Sequence, residues 1–367
     1  MSRTDVDVVV VGRNAVAGAA AWHLAGDGRE VLLLSRTGTG PPPTEVTVPA
    51  RTGDPAVSVG LAAASLPVWR EVEAETGVPL LSLIGGIDHG DPERTLAVAD
   101  ALDTHGIPYT WLTSDEAASR WPGMIFVGPV LHQQDRSGRV HAAQATRALA
   151  AAAVGRGALL APGTNVGQVR VGGEDHVRVD TSEGPVRARR VLVLAGSAAP
   201  PEHSTPLTGL WASGERIVGF PPVGINPCVA QQHDWPVFVH HTGPASGWPG
   251  AVFGAPDPCG DVLVGFDGTG LERCPPAHRL REYVAGRLPG LRAGGVVPSP
   301  RALSATGHRS PAIAVDGPVV TGTGFDGRGT AFAPVLGRLL ADLVDLPGAP
   351  ELLARFGRDL LRERQLD

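Results

Sequence analysis

The chain has 367 residues, a formal net charge of −6 and a mean hydropathy of +0.04. This length suffices for two domains that need no disulfide or metal to hold their cores. No run of arginines lies beside clustered aromatic residues, which argues against a nucleic-acid partner, and no apolar run reaches the roughly 20 residues of a membrane span.

Cys228, Cys259 and Cys274 match no zinc-binding spacing, so we expect reduced thiols and no metal site. The chain passes from Met1 almost directly into a predicted strand, so we expect no signal peptide, a cytoplasmic location, and a monomer or small homo-oligomer. All of its basic residues are arginines, which excludes any mechanism that needs a lysine amine.

The N-terminal segment predicts a strand, a helix and a second strand. Residues 8–11 are a continuous valine run suited to a strand buried on both faces. Residues 15–24 are alanine-rich and helical, and residues 30–34 predict the second buried strand. A β-α-β unit of about 30 residues is typical of a Rossmann-type domain.

The rest of the chain alternates helical and strand-like segments. Helices are predicted over residues 57–76, 92–105, 114–120 and 142–156, and several short strands over residues 159–195. Residues 201–300 predict an antiparallel sheet, with strands near 237–241, 251–253 and 262–266. A last strand over 318–323 enters a glycine-rich turn before a helix over 335–343, a second place for an anion at a helix N-terminus.

Two motifs carry a family resemblance, and the second is the more specific. The first is Arg120-Trp121-Pro122-Gly123; the second is Gly324-Phe325-Asp326-Gly327-Arg328-Gly329, followed by Ala333-Pro334 and Gly337. With the order of elements, they resemble the monomeric sarcosine oxidase and D-amino-acid oxidase family of FAD-dependent oxidoreductases over nearly the whole chain.

The resemblance implies an α/β fold with two discontinuous domains. A Rossmann-like FAD-binding domain would comprise residues 1–45, 140–200 and 300–367. An antiparallel-sheet substrate domain would comprise residues 46–139 and 201–299. In this family the FAD pyrophosphate lies on the first helix N-terminus and the flavin ring lies near the C-terminal glycines.

The resemblance also implies an activity and a set of cofactor-binding residues. The expected reaction removes a hydride from the carbon beside an amine of a small-molecule substrate, and oxygen reoxidises the flavin. The implied cofactor-binding residues are Gly12, Arg13, Asn14, Ser35, Arg36, Gly196, Gly324, Phe325, Asp326, Gly327, Arg328 and Gly329.

The dinucleotide fingerprint itself is altered. The pattern G-x-G-x-x-G lets backbone N–H groups approach a pyrophosphate, and here it reads Gly12-Arg13-Asn14-Ala15-Val16-Ala17. Ala17 is a mild change, whereas the Asn14 side chain is predicted to occupy the space through which the phosphates approach. Charge-assisted bonds from Arg13 and Arg36 would offset that loss; the alternative is that both arginines face solvent.

At the end of the second strand, Ser35 and Arg36 stand where an acidic residue normally binds the adenosine ribose. Two explanations stay open at this position. The pair favours a 2′-phosphate, as in NADP sites, or it is an ordinary strand end.

The positions that the family uses for chemistry also differ. Residues 302–310 contain no cysteine to tether a flavin, so a bound FAD would be non-covalent. Ala331 replaces a lysine of the C-terminal motif, and Phe253 and Asp267 correspond to a substrate-side tyrosine and histidine. The predicted catalytic residues are therefore His308 as proton carrier, with Asp267 and Arg309 as acid, base or anion contacts.

Three functions remain open from the sequence. The first is a non-covalent FAD oxidoreductase acting on an amine or amino-acid-like molecule. The second is a flavin-fold protein that has lost FAD and acts as a non-redox catalyst of the cyclase or lyase type, which Asn14, Ser35 and Ala331 favour. The third is a pseudo-oxidase subunit of a larger oxidase. Fold resemblance alone does not decide among them.

Overall fold

A computed structural model describes residues 5–35, 46–48, 55–173, 175–194, 217–223, 235–243, 246–248, 250–257, 260–266, 276–294, 312–323 and 328–345. The helices of these segments are α1 (Ala15–Gly26), α2 (Pro55–Thr76), α3 (Pro92–Thr104), α4 (Ser114–Arg120), α5 (Ala142–Gly155), α6 (Ala277–Arg287), α7 (Arg328–Ala331) and α8 (Ala333–Asp345). Within the same segments, no helix combines the length and the apolar character needed to cross a bilayer.

The strands form three sheets. In chain order they are β1 (Asp5–Val11), β2 (Val31–Ser35), β3 (Val46–Val48), β4 (Leu81–Ser82), β5 (Gly86–Gly90), β6 (Thr110–Leu112), β7 (Val130–Gln133), β8 (Gly138–Val140), β9 (Leu159–Pro162), β10 (Val166–Gly173), β11 (His176–Thr181), β12 (Gly184–Leu194), β13 (Ile217–Phe220), β14 (Val237–His241), β15 (Val252–Pro256), β16 (Val262–Phe266), β17 (Ala312–Asp316) and β18 (Val319–Thr323).

The first sheet has eight strands and a parallel centre. Its parallel strands lie in the order β18-β12-β1-β2-β9, while β10, β11 and β17 join it through antiparallel pairs. Val8 and Val10 face α1, α5 and α8, whereas Val9 and Val11 face the apolar side chains of β10 and β11. The valine run is buried because both faces of the sheet are covered.

Helix α1 lies between α5 and α8 and is buried almost all round. A Cβ atom at Gly337 of α8 would lie 2.5 Å from Ala19 Cβ, and one at Gly18 would lie 3.0 Å from Leu149 Cβ. The alanine-rich composition of α1 and these two glycines let the three helices approach closely.

The second sheet has seven strands in the order β13-β16-β15-β14-β5-β7-β6. Its neighbouring strands are antiparallel except β5 and β14, which run parallel. That pair joins strands from residues 86–133 to strands from residues 217–266, two segments far apart in the chain. The third sheet is small, with the order β3-β8-β4.

Helix α6 corrects the prediction that residues 201–300 form only a sheet. It packs on one face of the seven-stranded sheet through Leu280, Tyr283 and Val284. These residues follow the i, i+3, i+4 spacing of an amphipathic helix, which the many prolines and glycines of the region obscured.

Candidate functional site

The turn between β1 and α1 is tight because Gly12 has no side chain. Its N–H donates to the carbonyl of Leu34 at 3.0 Å. A Cβ atom at this position would lie 2.7 Å from the carbonyl oxygen of Leu194 and 2.8 Å from Ala17 Cβ. The first glycine of the fingerprint is therefore required by space, and the methyl group of Ala17 fits because Gly12 lacks one.

Asn14 is the N-cap of α1. Its backbone is extended, with φ −128° and ψ 169°, and its side-chain oxygen Oδ1 accepts a hydrogen bond from the Ala17 N–H at 2.9 Å. Its amide nitrogen Nδ2 donates to the carbonyl of Leu194, the last residue of β12, at 3.1 Å. One side chain thus binds the first turn of α1 and the carboxyl end of the neighbouring strand; we call these two contacts the Asn14 bridge.

The other predicted cofactor residues of the first segment lie at the same edge of the sheet. Val11 pairs with Leu34 in the register of β1 and β2, so Gly12 and Ser35 are neighbours at the carboxyl ends of these strands. Ser35 is half-buried and its carbonyl accepts from the Gly163 N–H at 2.7 Å, while Arg13 is exposed. Carboxyl ends of parallel strands are where doubly wound folds bind dinucleotides.

Strand β18, which precedes the C-terminal glycine motif in the chain, ends at this edge as well. Leu194 of β12 pairs with Gly322 of β18, so the chain leaves both strands beside the Asn14 bridge. Arg328 begins α7, and Gly329 is buried in it. Several predicted cofactor residues lie outside the described residues, and their roles stay predictions: Arg36, Gly196, Gly324, Phe325, Asp326 and Gly327. The predicted catalytic residues Asp267, His308 and Arg309 lie outside them too.

Ala331, at the position where the family resemblance implies a lysine, ends α7 in an apolar environment. Its side chain is 2% exposed and packs against Ala142 and Phe332. Its carbonyl accepts a hydrogen bond from the indole Nε1–H of Trp69 at 2.9 Å. The position therefore contributes packing and a buried backbone acceptor, and no charge.

Sequence reasoning missed a buried polar cluster on the seven-stranded sheet. His241 Nε2 lies 2.8 Å from Asp88 Oδ1, and the Gln133 amide lies 3.4 Å from Asp88 Oδ2. The Asp88 side chain is fully buried and that of His241 is 5% exposed. A carboxylate bound to one imidazole nitrogen fixes the tautomer and orientation of the ring, an arrangement that also orients histidines in enzymes.

Asp88 lies in a cross-strand row that reaches Phe253. Asp88 pairs with Val239, and Val239 pairs with Phe253, so the three side chains project from one face of the sheet. The Phe253 ring lies over Gly265, where a Cβ atom would be 2.6 Å from its Cζ. The Asp88–His241 pair is thus on the same face as Phe253, for which the sequence predicts a place on the substrate side.

A second polar group occupies the opposite face. His240 Nδ1 lies 2.7 Å from the Tyr283 hydroxyl, and the rings of His89 and His240 stack with centroids 4.5 Å apart. Burial lowers the pKa of His240 to about 4 and lowers the pKa of His89 well below its usual value. Both imidazoles are therefore neutral at physiological pH.

The sequence holds only part of the signal for these groups. Because successive side chains of a strand point to opposite faces, the sequence correctly predicts that His240 and His241 lie on opposite faces of the sheet. It does not reveal that Asp88, 153 positions away in the chain, is the partner of His241. Among the described residues, no three His, Cys, Asp or Glu side chains are placed to hold a metal ion.

Comparisons with known proteins agree with this architecture. Residues 7–343 match the model of the family described as FAD dependent oxidoreductase. Monomeric sarcosine oxidase of Streptomyces avermitilis is 27% identical over 374 residues, covering 92% of this chain and 93% of that protein. The enzyme of the same name from Bacillus sp. (strain B-0618) is 28% identical over 207 residues, covering 53% of this chain and 52% of that protein.

A solved structure has the same fold. L-proline dehydrogenase from P. horikoshii superposes with a TM-score of 0.75 at 18% identity, covering 99% of each chain. The similarity at this level of identity concerns the backbone, so the chemistry of the present chain depends on its own residues.

Proposed function

The chain belongs to the family of FAD-dependent oxidoreductases, and from this premise we propose that it binds FAD non-covalently and oxidises an amine or amino-acid-like small molecule. The observation that carries the proposal is the edge of the parallel sheet, where the Gly12 turn, the N-terminus of α1 and the ends of β2, β12 and β18 lie together.

The backbone at this edge fits a dinucleotide, with one restriction. Gly12 keeps the turn tight, and the N-terminus of α1 favours an anion through its dipole and its N–H groups. The Ala17 N–H is already bonded to Asn14, so a pyrophosphate has fewer first-turn donors available than glycine at position 14 would leave. Residues Arg13 and Arg36 are proposed to supply compensating positive charge.

Bound FAD would accept a hydride from the substrate carbon beside the nitrogen. The chain's own residues would prepare that step. We propose that Phe253 and Val239, which project from the same face of the sheet as Asp88, keep water away from that step, and that Asp88 fixes the orientation of the His241 imidazole beside them. We propose that His308 moves the substrate proton, and that Asp267 and Arg309 contact the polar groups of the substrate.

A non-redox activity in the same pocket is the alternative, and two observations favour it. The Asn14 bridge satisfies groups that a diphosphate would otherwise bind, and Ala331 offers no ammonium group where the family has lysine. A cyclase, a lyase or a pseudo-oxidase subunit would tolerate both changes.

The test is the spectrum of the purified protein, followed by reduction. We expect flavin absorption bands, release of all the flavin into the supernatant on acid precipitation, and bleaching under anaerobic conditions by at least one member of a panel of amines, N-methyl amino acids and amino acids. A colourless protein that binds neither added FAD nor added FMN would overturn the proposal and support the non-redox alternative.

A further inference from the structure

Asn14 stands where a phosphate group would meet the first turn of α1, and its side chain already acts as an acceptor there. Oδ1 accepts from the Ala17 N–H at 2.9 Å. The first-turn N–H groups of a helix have no partner within the helix and are bound by caps, water or ligands. Asn14 therefore provides from within the chain one of the contacts that a bound anion would provide.

The second contact of Asn14 gives the side chain a fixed position. Nδ2 donates to the Leu194 carbonyl at 3.1 Å, so the amide spans from α1 to the end of β12. It therefore lies at the carboxyl ends of the neighbouring parallel strands β1 and β12. The absence of a side chain at Gly12 brings the Leu194 carbonyl close enough for this contact.

We propose that Asn14 sets the affinity for FAD, because the Asn14 bridge keeps the turn formed in the empty protein and must open when the pyrophosphate binds. The inference rests on the proposed function. It predicts an apoprotein that is folded and stable, and a flavin that is held weakly and exchanges with free FAD.

The experiment measures FAD binding to the apoprotein by quenching of flavin fluorescence. Asn14→Gly restores the family's glycine and removes the bridge, and we expect it to tighten the dissociation constant about tenfold, the equivalent of one net hydrogen bond. Asn14→Asp keeps a capping oxygen but adds a negative charge beside the phosphates, and we expect weaker binding than in the unmodified protein.

Two further variants separate binding from stability. Asn14→Ser keeps an oxygen for the Ala17 N–H and removes the amide donor to Leu194, so we expect an intermediate affinity. Thr113→Gly is the matched control. Thr113 caps α4 through the Glu116 N–H, and α4 packs on the edge strand β6 of the seven-stranded sheet. Its loss costs a helix cap of the same kind and leaves the FAD affinity unchanged.

The possible results distinguish the two proposals. If the unmodified protein binds FAD and both Asn14→Gly and Asn14→Ser bind it equally well or more weakly, Asn14 does not oppose the cofactor and the inference is wrong. If neither the unmodified protein nor Asn14→Gly binds FAD, the proposed function fails and the inference fails with it.

Discussion

Two regions of the molecule contain its unusual polar groups, and they differ in how the chain assembles them. At the edge of the parallel sheet, the Asn14 bridge joins residues of a short turn to the adjacent strand end. At the pair of β5 and β14, buried side chains from distant segments meet on both faces of a sheet. We propose that the first region sets ligand affinity; the contacts of the second hold two distant segments of the chain in one sheet, whatever part they take in the reaction.

The pair of β5 and β14 has no hairpin to set its register. Adjacent strands joined by short turns inherit their register from the turn, whereas β5 and β14 are parallel and far apart in sequence. A shift by one residue would move Asp88 away from His241 and into the apolar face that contains Phe238 and Tyr283. The buried polar contacts therefore disfavour a one-residue slip, because such a slip leaves a buried carboxylate without its partner.

Removing the Asp88 carboxylate tests that interpretation most strongly. We expect Asp88→Ala to lower the free energy of unfolding by about 3–5 kcal/mol, because it leaves His241 and Gln133 buried without their acceptor. The measurement is chemical denaturation of the protein in the same flavin state as the unmodified chain.

The control for Asp88 is a carboxylate with exposed partners. Asp180 forms ion pairs with Arg170 and Arg178 on the surface, and we expect Asp180→Ala to leave the denaturation midpoint nearly unchanged. Equal losses for the two variants would contradict a special role of the β5–β14 pair.

The sequence predicts the first region better than the second for a physical reason. The β-α-β unit is local: the valine run, the glycine turn and the alanine-rich helix follow one another, and the predicted bounds of α1 and β2 agree with the structure within about two residues. The fingerprint also marks Asn14 as the unusual residue of the turn, and the structure shows the two hydrogen bonds that its side chain makes; that it occupies the path of the phosphates stays a prediction.

Contacts between distant segments are a different problem. Asp88 and His241 carry no pattern that marks them as partners, since their proximity results from the pairing of β5 with β14. Helix α6 was missed for a different reason, because its local apolar spacing lies in a region whose many prolines and glycines obscured it. Roles predicted for Asp267, His308 and Arg309 stay predictions, since these residues lie outside the described segments.

The close packing around α1 offers the next comparison, between two glycines in helices. A Cβ atom at Gly337 would lie 2.7 Å from backbone atoms of Ala19 and Ala20, whereas one at Gly155 meets nothing within 4 Å. We expect Gly337→Ala to cost about 2 kcal/mol, since α1 and α8 must separate. Gly155→Ala should leave stability unchanged or raise it slightly, because alanine favours the helix.

Thermal denaturation of the two variants measures the difference. The Gly337 variant should also bind FAD more weakly, because α1 carries the proposed pyrophosphate site at its N-terminus. A Gly337→Ala protein as stable as Gly155→Ala would show that the helices repack without cost.

The smallest expected effect is a pH dependence of stability that arises from His240 and His89, on one face of the β5–β14 pair. Burial lowers the pKa of His240 to about 4 in the folded protein, against 6.5 for an unperturbed histidine. Between these values the unfolded chain binds a proton that the folded chain does not, so stability is complete above about pH 6.5 and decreases as the pH falls. From pH 7 to 5.5 we expect a loss of about 1 kcal/mol from this residue, and a further loss from His89, whose pKa burial also lowers.

Denaturation curves between pH 7 and 5.5, for the unmodified protein and for His240→Phe, isolate the contribution of His240 to the pH dependence of stability. The variant loses the contact with Tyr283 at every pH, so its absolute stability is not the readout. The informative quantity is the slope of the unfolding free energy against pH. Burial also lowers the pKa values of His23 and His132, and these two residues contribute equally to the slope in both proteins. We expect a shallower slope in His240→Phe. An identical slope would mean that His240 titrates alike in the folded and unfolded chains, and that the stacked pair tolerates a charge in the core.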